Sequence, residues 1–231
     1  MEGERIWQID ALRGTAVVLM AAYHLFFDLN YLGILSLDVS SIFFVLFQRI
    51  IAVLFLGVVG ISLAIGKKTF PENAKRAAFL AAVAAGITIA TAVYPGYGAI
   101  YFGIIHFIAI AVFFGYFFRE FGELNLLFSF AILAIWFVGK NTVSGSAFLI
   151  PFGFPPADFY TLDYFPLLPW FAVVLLGIWL GKTRFWGKIG SGKKEDAKKI
   201  CWVGRHALAI YLMHQPVLLL FLTAAKILLQ R

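Results

Sequence analysis

A single cysteine, Cys201, stands among 231 residues, so no internal disulfide can form, and no Cys/His spacing resembles a zinc site. No metal is expected, and Cys201 reads as a packing residue near a helix start. Charge is scarce as well: 13% of residues are Asp, Glu, Lys or Arg, against 62% hydrophobic and 18% aromatic. Soluble domains carry about 25% charge, so this composition points to a polytopic membrane protein. The formal charge of +7 does not argue for a nucleic-acid partner, because a basic excess in a membrane chain collects in cytoplasmic loops. The partner it implies is the lipid bilayer. Three further absences narrow the field. The apolar runs lack the period-2 alternation of a β-barrel. No internal repeat is visible, so the inverted-repeat signature of many transporters is missing. No span holds a lysine near its middle, Lys226 lying at the end of the last, which removes a seven-helix photoreceptor with its Schiff base.

What the chain has is apolar runs near the 20 residues that cross a bilayer. Seven are expected, at 11 to 33, 43 to 66, 77 to 94, 98 to 118, 123 to 139, 165 to 183 and 205 to 228. All should be helices, giving an all-α, polytopic transmembrane helical bundle that forms one domain over 1–231. The first run is longer than a signal-peptide core and is broken by His24 and Asp28, so it is expected as a retained span. Lys and Arg set the orientation. The connection KKTFPENAKR after the second span and the region after the sixth are basic, whereas LSLDVSS and YPGYG carry no Lys or Arg. This alternation places the N-terminus in the cytoplasm and the C-terminus outside, in the cytoplasmic membrane. Lys140, Lys226 and Arg231 run against it. Residues 184–204 read as a solvated cytoplasmic linker. Residues 140–164, rich in Gly, Pro and aromatics, read as an outer loop that dips back onto the bundle, or a lid.

The first span carries groups that a bilayer penalises. At 100° per residue, Asp10, Arg13, Val17, Ala21, His24 and Asp28 share one face. Ionisable groups in a span face a bundle interior or a water-filled cavity. Asp10 and Arg13 lie near the cytoplasmic interface, where an Asp-Arg pair can simply mark a helix start; His24 and Asp28 lie past the midpoint, where that explanation weakens. Eleven residues at 1.5 Å separate Arg13 from His24 by about 16 Å. One long ligand, anionic at its cytoplasmic end and reactive at depth, fits that separation, and its arm could follow a shallow groove over Val17 and Ala21. Acyl-coenzyme A has that form, although naming it depends on the resemblance below.

Other polar residues keep two readings each. Asp28 and Arg49 fit either a packing ion pair or a functional one. His106, near the middle of the fourth span, could bond His24, orient an acceptor or satisfy a core carbonyl. His214 and Gln215 precede Pro216, which should kink the last span, and a kink-stabilising bond is the first reading for His214. Arg205 could join Arg13 at phosphates, though positive-inside bias alone explains it. Asp163, Tyr164 and Trp170, in DYFPLLPW, could stack on and bond a sugar, or anchor the interface.

Arg13, ten intervening residues and His24, in IDALRGTAVVLMAAYH, resemble the Arg-x10-His motif of type 3 membrane acyltransferases. The wider pattern resembles prokaryotic relatives of the heparan-alpha-glucosaminide N-acetyltransferase catalytic domain. Its blocks are IDALRG with YHLFFDL, QRIIAVLFLGVVGISLAIG, FGIIHFIAIA, DYFPLLPWFAVVLLGIWLG and GRHALAIYLMHQP. The resemblance implies transfer of an acetyl or similar group from cytoplasmic acyl-CoA (acetyl-CoA) to a hydroxyl or amine, often on a sugar, at the other face. It implies a catalytic role for His24 and donor binding by Arg13. Asp28 and His106 join the catalytic candidates, Asp10 and Arg205 the donor-binding ones. Arg49, Asp163, Tyr164, Trp170 and His214 stand as acceptor-side candidates. The expected chemistry is general-base catalysis by His24, oriented by Asp28 or a group on another helix, with an acyl-histidine intermediate as the variant. The better-known relatives commonly have ten or more spans, so the donor site is completed either in one protomer or in a homo-oligomer. The competing reading is a small-solute transporter or channel using His24, Asp28, Arg49 and His106.

Overall fold

Apolar runs become helices here because a backbone in hydrocarbon has no water to bond, and an α-helix satisfies its N–H and C=O groups internally. A computed structural model describes residues 6–93, 98–183 and 197–229. Its elements are α1 (Trp7–Tyr31), α2 (Ile42–Ile65), α3 (Phe70–Val93), α4 (Ile104–Phe118), α5 (Leu124–Gly139), a 3-10 turn (Ala147–Phe152), α6 (Leu167–Lys182), α7 (Lys198–Arg205) and α8 (Ala207–Leu229). No strand occurs among the described residues. Four helices, α1, α2, α3 and α8, are long and apolar enough to cross a membrane. Helices α4, α5 and α6 are apolar but shorter, with 15, 16 and 16 residues, or roughly 22–24 Å against a hydrocarbon core of about 30 Å. Large apolar side chains such as Phe43, Ile89, Val138 and Leu220 stand exposed, a surface suited to lipid.

Three boundaries differ from the sequence expectation. Helix α3 starts at Phe70 rather than residue 77, because the backbone N–H and hydroxyl of Thr69 both donate to Glu72 Oε2, at 2.7 and 2.8 Å, and Pro71 is tolerated in a first turn. Helix α4 starts at Ile104 rather than 98, after extended Gly103. Residues 198–204, expected as linker, are helical: Cys201 and Gly204 are buried while Lys198, Lys199, Trp202 and Arg205 are exposed. Short amphipathic helices with a charged face are easily read as solvated chain. The rest of that linker, 184–196, and most of YPGYG lie outside the described residues.

The chain divides into two compact units, Met1–Val58 with Phe185–Arg231, and Val59–Arg184, the divide falling within α2. In the first unit, α1 packs on α7 and α8. Its crossing with α7 is so close that only glycine fits: a Cβ on Gly14 would lie 2.0 Å from Ile200 O, and one on Gly204 1.8 Å from Asp10 O. Cys201 Sγ donates to Trp7 O at 3.4 Å nearby, and at the other end of α1 Lys226 Nζ donates to Leu32 O at 2.7 Å. In the second unit, α3 packs on α4 and α5 on α6. Asn73 of α3 donates to Val112 O, Ser129 of α5 to Ala172 O at 3.1 Å, and Arg119 to the carbonyls of Gly66 and Lys68. The loop over 140–164 is held at its end: the Tyr164 hydroxyl donates to Ile150 O at 2.6 Å, and Phe165 N–H to Phe102 O at 2.9 Å.

Candidate functional site

Helix α1 runs unbroken through Asp10 and Asp28, so the six residues of the polar stripe keep one face. At its start, Arg13 Nη1 donates to Asp10 Oδ1 at 3.0 Å, and Asp10 is buried. The Gly14–Gly204 crossing brings Arg205, next in sequence to Gly204 and exposed, to this same end of α1. The middle of the face differs from expectation. Val17 is 0% exposed and packs in a cluster with Met20, Ile51 and Ala207, so no open groove passes over it. The glycine crossing lies just before the start of α8, whose first residue, Ala207, joins Val17 in that cluster.

At depth, α8 meets α1 through polar groups. Gln215 Nε2 donates to both oxygens of Asp28, at 2.8 and 3.0 Å, and Asp28 is only 1% exposed. The partner seen for Asp28 is thus an amide from α8, and Arg49 lies on the exposed face of α2. One residue before Gln215, the His214 ring lies 4.8 Å from the His24 ring, centroid to centroid and tilted by 58°. His214 Nδ1 donates to Tyr211 O, one turn back in α8. Its Nε2, the Nδ1 of His24 and the Oε1 of Gln215 are buried and have no hydrogen-bond partner among the described residues. Leaving one buried polar group unpaired costs about 1–3 kcal/mol, so three together mark a place built for something other than stability. Gln215 was not assigned a role from sequence; its only signal was adjacency to His214 and Pro216.

The candidates of the second unit make bonds and packing contacts within that unit. His106 is the third residue of α4, not mid-span. Its Nε2 donates to Thr88 Oγ1 at 3.0 Å, Thr88 in turn donates to Ile100 O at 2.6 Å, and Gly103 N–H donates to Nδ1 at 3.3 Å. A cavity of about 410 Å³ is lined by His106 together with Ala81, Ala84 and Ala85. Asp163 Oδ2 accepts from Ile104 N–H at 2.9 Å, at the positive end of α4. Burial pushes its carboxyl up to about 6, against the pull of that N–H, and burial likewise pushes the Tyr164 hydroxyl up to about 12. Trp170 is 5% exposed and lies against Phe165, 5.0 Å between ring centroids, so its faces are covered. No group of three His, Cys, Asp or Glu that could hold a metal occurs among the described residues.

Against known proteins, the family model described as "Heparan-alpha-glucosaminide N-acetyltransferase, catalytic" matches residues 5–216. Comparison with curated proteins and with solved structures returns no match.

Proposed function

The chain belongs to the heparan-alpha-glucosaminide N-acetyltransferase catalytic family, of membrane acetyltransferases, and from that premise we propose that it moves an acetyl group from cytoplasmic acetyl-CoA to a sugar hydroxyl or amine. The proposal places it in the cytoplasmic membrane, crossing seven times with the N-terminus inside, as the Lys/Arg distribution supports. The observation that carries it is the deep end of α1, where His24 and His214 each keep a buried nitrogen free of partners inside the matched region.

In the reaction, His24 takes the proton of the acceptor as its oxygen or nitrogen attacks the thioester carbonyl carbon. The carbon–sulfur bond then breaks, and the departing CoA sulfur recovers the proton from His24. Arg13 and Arg205, at the start of α1, serve the phosphates of the donor. Asp10 holds the Arg13 guanidinium in place. Because Val17 is covered, the donor arm reaches His24 along this face only when the cluster around Val17 opens. Asp163, Tyr164, Trp170 and His106 build the loop and the helix start of their own unit. The solute-pathway alternative draws no support from Asp28 and His106, which are bound to Gln215 and to Thr88.

Thermal unfolding with CoA and acetyl-CoA tests the donor. Both should raise the melting temperature, and Arg13→Ala should shrink the rise. Absence of any shift in the wild-type protein would remove acetyl-CoA as the donor and favour the solute pathway.

A further inference from the structure

A neutral imidazole has one lone pair and one N–H, and which nitrogen is basic depends on what the other one meets. For His24 the answer lies on α8. A carbonyl only accepts, so the contact of His214 Nδ1 with Tyr211 O places the His214 proton on Nδ1. Nε2 of neutral His214 is therefore an acceptor. It is buried and unpartnered, as is Nδ1 of His24, and the two rings are neighbours at 4.8 Å. Their register is set one turn further along α1 and one residue further along α8, by the two bonds from Gln215 to Asp28.

We infer that His214 is a positioning residue whose Nε2 accepts the Nδ1–H of His24, fixing His24 in the tautomer with its lone pair on Nε2. The pairing calls for a turn of the His24 ring about its Cβ–Cγ bond, with His214 held in place by its contact with Tyr211 O. The inference rests on His24 as the base, and adds which nitrogen works and what holds it so. His214 fills the part that a carboxylate fills beside the histidine of a Ser-His-Asp triad. A neutral acceptor suits this depth, because an ionised one at a span's centre costs several kcal/mol. Asp28, first expected to orient His24, has both its oxygens taken by Gln215.

The test is a long-range 15N–1H correlation spectrum of the full chain, labelled at its four histidines, in nanodiscs at about pH 8, where an ordinary imidazole is neutral. A His24→Asn variant identifies the His24 signals. In the wild type, His24 should carry its proton on Nδ1. His214→Gln, whose amide oxygen also accepts, should keep that tautomer, whereas His214→Leu should move the proton to Nε2. Release of CoA from acetyl-CoA should fall roughly 10- to 100-fold in His214→Leu and recover in His214→Gln. A wild-type His24 protonated on Nε2 overturns the inference even if His214→Leu does not fold, and so does an unchanged tautomer in that variant. The spectrum needs no turnover, so the expected tautomers with no CoA release would fault the proposed reaction and leave the His24–His214 pairing standing.

Discussion

His106 has a partner for each ring nitrogen, Thr88 on one side and Gly103 on the other, whereas His24 and His214 each keep a buried nitrogen without one. Both sites sit among apolar helices, where an unmet polar group is expensive. A histidine whose bonds are complete contributes to stability and has nothing left to offer a substrate. The open nitrogens of His24 and His214 are the two that the inferred pairing joins, which leaves Nε2 of His24 for a substrate. The same contrast separates the carboxylates: Asp163 caps the start of α4, while Asp28 sets the register of the helix that carries His214.

Disturbing the crossing that assembles the first site gives the largest effect. Gly204→Leu drives a side chain into the Asp10 carbonyl and should cost about 3 kcal/mol or more, read as a fall in melting temperature together with loss of acetyl-CoA stabilisation. If binding survived, the α1–α7 contact would not be what assembles the donor end. Asp28→Ala comes next. It strips Gln215 Nε2 of its partner, and about 1–3 kcal/mol of stability should go with it. Activity should fall too, since α8 loses its register. His106→Ala sharpens the contrast from the other side: a stability loss of about 1–2 kcal/mol at unchanged transfer rate per folded molecule. A strong rate loss there would move His106 back among the catalytic groups. The smallest effect is one of pH. The folded state raises the Asp163 carboxyl from 3.8 to about 6, so it binds that proton more tightly than the unfolded chain. The resulting stability is full below the unfolded value and is lost as pH rises through about 6. Between about pH 5 and about pH 7 the melting temperature of the wild type should therefore drop more than that of Asp163→Asn.

The single face of α1 was legible in the sequence because helical spacing alone places Asp10, Arg13, His24 and Asp28 together. Which residues meet that face was not, because it depends on how two helices far apart in sequence lie against each other. Gln215 and the orientation of His214 fall in that class, as does the burial of Val17 in a cluster that includes Ala207. Helix α7 was hidden for another reason. Its exposed lysines read as solvated chain, while the spacing of Cys201, Gly204 and Ala207, three residues apart and all buried, was the trace of a packed face. The start of α3 was signalled by Thr69 and Glu72 at capping-box spacing, a pattern that a search for uniformly apolar runs passes over.

The most direct test is acetyl transfer by the full chain reconstituted in liposomes, supplied with acetyl-CoA and with glucosamine as the probe acceptor, comparing wild type with His24→Ala. Free CoA and acetylated glucosamine should both form with the wild type and fall about 100-fold or more in a variant that still unfolds cooperatively. Equal rates from the two proteins would contradict the assignment of His24 as the base.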